Sequence, residues 1–194
     1  MSAKVWDERN YVIDKQYWSG TKTMHGLIKN AAAVDNGDGT VQIPMDAHGM
    51  SALNMVIIAG TTNYNGIHLI PSVSTNYINI TATYVAENFG GSETWKTAFQ
   101  IVPTLDDYQV MEARLTLSAT GGASENFTIT LDSAQGSAWD CTLETQDMNA
   151  VAFDDVIWGV NERRFFDGDD VLLFQYANTN SRTWGLELIY RRFA

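Results

Sequence analysis

Three groups of residues in this sequence have side chains that could carry out chemistry: the histidines, the acidic turns and a set of aromatic residues. The histidines are His25, His48 and His68, and none has a second histidine two or four positions away to complete a short metal-ligand motif. No Gly-x-Ser-x-Gly elbow, phosphate loop or dinucleotide fingerprint is present. We therefore expect no catalytic residue and no enzymatic activity.

Two acidic segments could hold a cation through oxygen ligands, but each is also a typical turn. The segment 35–39 lacks the glutamate that closes a calcium-binding EF-hand loop at its twelfth position. Asp167, Asp169 and Asp170 surround a glycine just before an apolar run, as in a hairpin turn. We interpret both segments as turns and expect no metal and no cofactor, although a cation at the second cluster is an alternative.

The charge of the chain argues against two classes of partner. The formal net charge is -11, and residues 99–194 hold fifteen acidic but only six basic residues. Lysine and arginine supply the affinity of proteins for phosphate backbones and for anionic lipid surfaces. We therefore expect neither nucleic acid nor a membrane as partner. No window approaches the roughly 18 apolar residues of a membrane-spanning helix, and residues 1–10 do not resemble a signal peptide.

Four large aromatic residues lie in the polar N-terminal segment, which predicts an arm that makes contacts. These residues are Trp6, Tyr11, Tyr17 and Trp18. Large aromatic side chains gain order by packing, either on the rest of the same chain or on a neighbouring protein. Both alternatives are open, and the second makes these four residues candidates for a protein interface.

The remainder of the chain predicts an all-β fold, because short apolar or alternating runs are separated by turns that contain Gly, Asn and Asp. Residues 1–40 are predicted as the N-terminal arm and a linker. About five short strands predict a small SH3-like β-barrel module over 41–98. Seven or eight strands predict an antiparallel, jelly-roll-like β-sandwich over 99–194. Trp139, Trp158 and Trp184 would pack in that core, or alternatively form a carbohydrate-binding platform.

Two stretches of the sequence resemble known proteins. The first includes His48-Gly49, Ile58-Ala59-Gly60-Thr61-Thr62-Asn63-Tyr64-Asn65-Gly66, Ile78-Asn79-Ile80 and Thr83-Tyr84-Val85-Ala86-Glu87. It resembles a small β module of many structural proteins of tailed bacteriophages, with Met50 in place of the usual leucine. The second includes Leu131-Asp132-Ser133-Ala134, Gly168-Asp169-Asp170-Val171-Leu172, Asn178-Thr179 and Arg182-Thr183-Trp184-Gly185-Leu186-Glu187, and is similar to small jelly-roll proteins of phage virions.

The resemblance implies a structural protein of the virion, made in the cytoplasm of the host bacterium. We expect a capsid decoration or cement protein, with a head–tail connector, tail-tip or fibre-base protein as an alternative. A carbohydrate-binding or receptor-binding module is an alternative of a different class. The expected partners are the major capsid protein, or portal and tail proteins. A homo-oligomer with closed symmetry, such as a homotrimer, is also expected.

Overall fold

The computed structural model describes residues 11–101, 104–149, 156–158 and 164–193. The described residues form β-strands, one single-turn 3-10 helix at Ser137–Trp139 and no α-helix. All pairs of strands within the sheets are antiparallel. The prediction of an all-β, antiparallel fold is therefore confirmed. Among these residues no helix is long and apolar enough to cross a membrane.

The described strands form three sheets. The five-stranded sheet has the order β1-β16-β10-β13, with β14 also on β10, and consists of β1 (Tyr11–Gly20), β10 (Asp107–Leu117), β13 (Val156–Trp158), β14 (Arg164–Phe166) and β16 (Trp184–Phe193). The seven-stranded sheet has the order β12-β11-β15-β9-β5-β6, with β2 also on β9, and consists of β2 (His25–Leu27), β5 (Met55–Ala59), β6 (Gly66–Leu69), β9 (Thr94–Phe99), β11 (Asn126–Asp132), β12 (Cys141–Asp147) and β15 (Val171–Gln175). The four-stranded sheet has the order β3-β4-β8-β7 and consists of β3 (Val34–Asp35), β4 (Thr40–Pro44), β7 (Ser72–Ser74) and β8 (Tyr77–Thr81).

One face of the seven-stranded sheet contributes to two large hydrophobic clusters. The first cluster lies against the five-stranded sheet, where the ring centroids of Trp18 and Phe174 are 5.3 Å apart and those of Phe99 and Tyr190 are 4.8 Å apart. This packing of two antiparallel sheets face to face makes the sandwich. The second cluster joins Trp95 and its neighbours to the buried side of the four-stranded sheet.

Residues 11–40, predicted as part of an arm and linker, contribute one strand to each of the three sheets. β1 belongs to the five-stranded sheet, β2 to the seven-stranded sheet and β3 to the four-stranded sheet. The boundary predicted at residues 98 and 99 falls within β9, and the seven-stranded sheet takes strands from both sides of it. The sheets are thus formed by pairing between distant parts of the chain.

The turn at residues 61–66 is fixed to a later segment by two side chains, Tyr64 of the turn and Glu87 of the later segment. The Tyr64 hydroxyl donates to the carbonyl oxygen of Val85 at 2.5 Å and accepts from its backbone N–H at 2.9 Å. The Glu87 carboxylate accepts from the backbone N–H groups of Thr62 and Asn63, at 2.6 and 2.9 Å. The turn and the later segment therefore stabilise each other, because these hydrogen bonds satisfy backbone groups of Thr62, Asn63 and Val85.

The loop before β9 is organised by the carboxylate of Glu93. It accepts hydrogen bonds from the backbone N–H groups of Gly90, Gly91 and Ser92, at 2.8, 2.8 and 3.0 Å. These bonds, led by that from Gly90, lower the pKa of Glu93 because they stabilise the charged form.

We expect Tyr64→Phe to destabilise the fold by about 1–3 kcal/mol, because Val85 would lose both hydrogen bonds in a partly buried position. Chemical denaturation monitored by circular dichroism measures this change. Tyr84→Phe is the matched control, since Tyr84 is 39% exposed, and should unfold like the wild type. Equal stability of the two variants would contradict the role assigned to Tyr64.

We expect Glu93→Gln to weaken the dependence of stability on pH under acidic conditions. The folded pKa of Glu93 lies below its ordinary value of 4.5. Its contribution is therefore complete above that value and is lost as the pH falls through the folded pKa. Urea unfolding over a pH series should show the variant and the wild type converging as the pH decreases. Glu144→Gln on β12 is the control, and a constant difference between Glu93→Gln and wild type would contradict the assignment.

Candidate protein interface

The four aromatic residues predicted as an interface have different positions. Trp6 lies outside the described residues, and Tyr11 begins β1. Tyr17 is 59% exposed, whereas Trp18 is 3% exposed and packs against Phe99 and Phe174. Trp18 thus packs on its own chain, the first of the two alternatives for the arm. Tyr17 lies at the surface on a strand whose open edge is described next, and its role in an interface stays a prediction.

β1 is a long edge strand. It pairs with β16 over ten residues, from Tyr11 opposite Phe193 to Gly20 opposite Trp184, and no other described strand pairs with it. Successive side chains of a strand point to opposite faces, which explains why Trp18 enters the core while Tyr17 faces outward. At Tyr17 the side-chain amide of Asn54 donates to the backbone carbonyl oxygen at 3.5 Å. The edge before Tyr17 presents backbone donors and acceptors to which another chain can add a strand.

The exposed apolar side chains of β1 increase its capacity to bind a partner. Val12 and Ile13 are about half exposed. A lysine on an edge strand commonly prevents such pairing, but the Lys15 ammonium lies 2.7 Å from the Glu187 carboxylate on β16. Lys15 is therefore held over the face of the sheet, away from the open edge. This hydrogen bond raises the pKa of Lys15 and lowers the pKa of Glu187.

A cavity of about 240 Å³ lies on the inner side of β1. Its apolar part includes Trp18, Phe99 and Tyr190, and its polar part includes Asp14 and Gln16. The Trp18 indole N–H is buried and makes no hydrogen bond within the described part of the chain. A side chain of an added strand could enter this cavity, since pockets beside an edge strand supply specificity when a peptide is added to a sheet.

A larger groove of about 510 Å³ lies on the opposite, outer face of the five-stranded sheet. Gly185 of β16 is part of its lining, together with Tyr17, Arg114, Thr116 and Glu187. The Glu187 carboxylate accepts a hydrogen bond from Lys15 at 2.7 Å. The groove therefore combines the exposed Tyr17 ring with a carboxylate that is paired with Lys15.

The acidic turns have structural partners. The Asp170 carboxylate accepts hydrogen bonds from the Ser133 hydroxyl and from the backbone N–H groups of Ala134 and Asp167. The Asp38 carboxylate accepts from the backbone and hydroxyl groups of Thr40. Within the described ranges, no group of three or more His, Cys, Asp or Glu side chains is arranged to hold a metal ion.

Each histidine lies in a structural setting, and two of the three bond a backbone carbonyl. The Nε2 atoms of His48 and His68 lie 2.7 and 2.9 Å from the carbonyl oxygens of Ser74 and Tyr64. Desolvation lowers the pKa of His25 and of His68. Of the tryptophans considered for a carbohydrate platform, Trp184 is buried in the first cluster and Trp139 is exposed. The side chain of Trp158 lies outside the described part.

The geometry thus identifies β1, with a cavity on each face, as the best candidate for a functional surface. No protein-family model matches the chain, and neither a curated protein nor a solved structure matches it.

We expect the neighbouring aromatics of β1 to differ sharply in their effect on stability. Trp18→Ala should cost about 3–5 kcal/mol, because it leaves a cavity in the first cluster. Tyr17→Ala should cost less than about 1 kcal/mol, because an exposed side chain contributes little. Urea unfolding of the two variants provides the measurement. Similar losses in both would show that the core and surface assignments are wrong.

Proposed function

We propose that this chain is a non-enzymatic structural protein of a tailed-bacteriophage virion, most specifically a capsid decoration or cement protein. The resemblance of residues 48–87 and 131–187 to phage proteins supports the virion. The observation that supports attachment to a larger assembly is the edge of β1 before Tyr17, which no described strand pairs and along which Val12 and Ile13 are exposed.

The attachment we propose is the addition of β1 to a sheet of a neighbouring virion protein. The six residues of β1 before Tyr17 span about 20 Å, and about half of their backbone groups point away from β16. Main-chain hydrogen bonds would hold the added strand, and side chains entering the inner cavity would select the partner. The major capsid protein is the partner we propose, and a second copy of the chain could use the same edge in a homo-oligomer.

The position in the virion is tested by quantitative peptide mass spectrometry of purified heads and tails. A copy number in the hundreds that follows the heads would support a decoration protein. A few to tens of copies at the tail would favour a connector, tail-tip or fibre-base protein instead. Absence from both fractions would contradict the virion proposal.

We expect Ile13→Lys to reduce incorporation into particles by about tenfold, equivalent to about 1.4 kcal/mol of binding free energy. A lysine at this exposed edge position would oppose strand addition without affecting the core. The measurement is the copy number of the variant per particle. Leu27→Lys on β2 makes the same charge change at an equally exposed site, since Leu27 is 59% exposed, and should incorporate normally. Normal incorporation of Ile13→Lys would contradict attachment through β1.

A further inference from the structure

The outer groove is present because one residue of an interior strand has no side chain. Gly185 lies on β16, with Ser19 of β1 opposite it on one side and Thr116 of β10 opposite it on the other. A Cβ atom at Gly185 would meet no heavy atom within 4 Å, and the residue does not have a positive φ. Neither packing nor backbone conformation thus requires glycine here. Glycine weakens the interior of a strand and often marks a place where a ligand approaches the backbone closely.

The walls of the groove combine an aromatic ring with hydroxyl, amide and charged groups. Tyr17 is 59% exposed, and it lies opposite Glu187 in the register of β1 and β16. Ser19 and Thr116 contribute hydroxyl groups to the lining. The amide of Asn54, which is buried, bonds to the backbone of Ser51 and Tyr17. The volume of about 510 Å³ lies within the range of about 300–1,000 Å³ that is common for small-ligand sites.

The charges of the groove favour a neutral ligand. The lining includes one cation, Arg114, and one anion, Glu187. Each has an opposite charge close by: Arg114 lies 2.9 Å from Glu112, and Glu187 lies 2.7 Å from Lys15. The local charge therefore sums to zero, within a chain whose formal net charge is -11. A phosphate, sulfate or other anionic ligand would find no excess of positive charge here.

We propose that this groove binds a neutral saccharide. The apolar C–H face of a sugar ring would lie on the Tyr17 ring, and its hydroxyl groups would bond to Glu187, Thr116 and Arg114. Carboxylates and guanidinium groups make strong hydrogen bonds to neutral hydroxyls even while they are paired with another charge, because each has several acceptor or donor positions. Gly185 would let the sugar approach the strand backbone. This activity goes beyond the structural role proposed for β1 and does not depend on it.

The test begins with the labelled full chain on an array that carries neutral, sialylated and sulfated glycans. The best neutral binder is then titrated into the protein by ¹H–¹⁵N NMR. We expect binding to neutral glycans, with the amide signals of Ser19, Thr116 and Gly185 shifting as saccharide is added. Binding to none of the neutral glycans, binding confined to acidic glycans, or shifts only elsewhere in the chain would overturn the proposal.

Three variants locate the site. Gly185→Val should fill the groove and abolish binding while keeping or raising the midpoint of thermal unfolding, because β-branched residues suit strands and a Cβ at this position meets no heavy atom within 4 Å. Tyr17→Ala should weaken binding by up to about tenfold through loss of the stacking surface. Leu27→Ala, at an exposed position of β2 that is not part of the groove lining, should bind like the wild type. Undiminished binding by a folded Gly185→Val variant would place the saccharide elsewhere and overturn the proposal.

Because Ile13→Lys addresses strand addition and Gly185→Val addresses the groove, the two proposals can fail separately.

Discussion

The fold depends on β9, the strand whose buried face contributes to both large hydrophobic clusters. Trp95, Thr97 and Phe99 alternate along this strand and therefore point to the same face of the sheet. Trp95 packs in the cluster beneath the four-stranded sheet, and Phe99 packs in the cluster beneath the five-stranded sheet. Two residues of one strand, Trp95 and Phe99, thus connect two cores. A displacement of β9 by one residue would turn both side chains away from their clusters, so both cores depend on the register of this strand.

The position of β9 also explains how the N-terminal segment is held. β5 pairs along one side of β9, while β2 and β15 divide the other side between them. Thr97, at the change from one partner to the other, donates from both its backbone N–H and its hydroxyl to the carbonyl oxygen of Met24, at 2.8 and 3.0 Å. Met24 is fully buried and closely follows β1 in the chain. The chain is therefore attached, shortly after β1 ends, to a strand that is paired on both sides.

The strands and turns could be predicted from local sequence, but their pairing could not. Alternation indicated strands at residues such as 127–131, and the Asn65-Gly66 dipeptide indicated a turn, because both signals lie within a few residues. The pairing of β1 with β16 joins positions more than 160 residues apart. The sequence of neither segment indicates which segment it pairs with. Tyr17 and Trp18 were grouped as contact residues because the segment was not recognised as a strand. Polar residues of β1 lie on both faces of the strand. The sequence therefore lacks the alternation of polar and apolar residues that would have distinguished Tyr17 from Trp18.

The groove was missed for a related reason. Gly185 stands in the apolar run of β16, where an isolated glycine signals either a bulge or the close approach of another group. The sequence could not separate these alternatives, because the choice depends on what lies above the residue in space. In the observed register Gly185 is paired on both sides without a bulge. The space above it is open, which leaves the close approach of another group as the alternative. Glycine weakens the interior of a strand, and the backbone conformation at position 185 does not require it. We therefore attribute this glycine to the space that it leaves for a ligand. β1 therefore borders both features, since no described strand pairs with its outer edge and its Tyr17 side chain lines the groove.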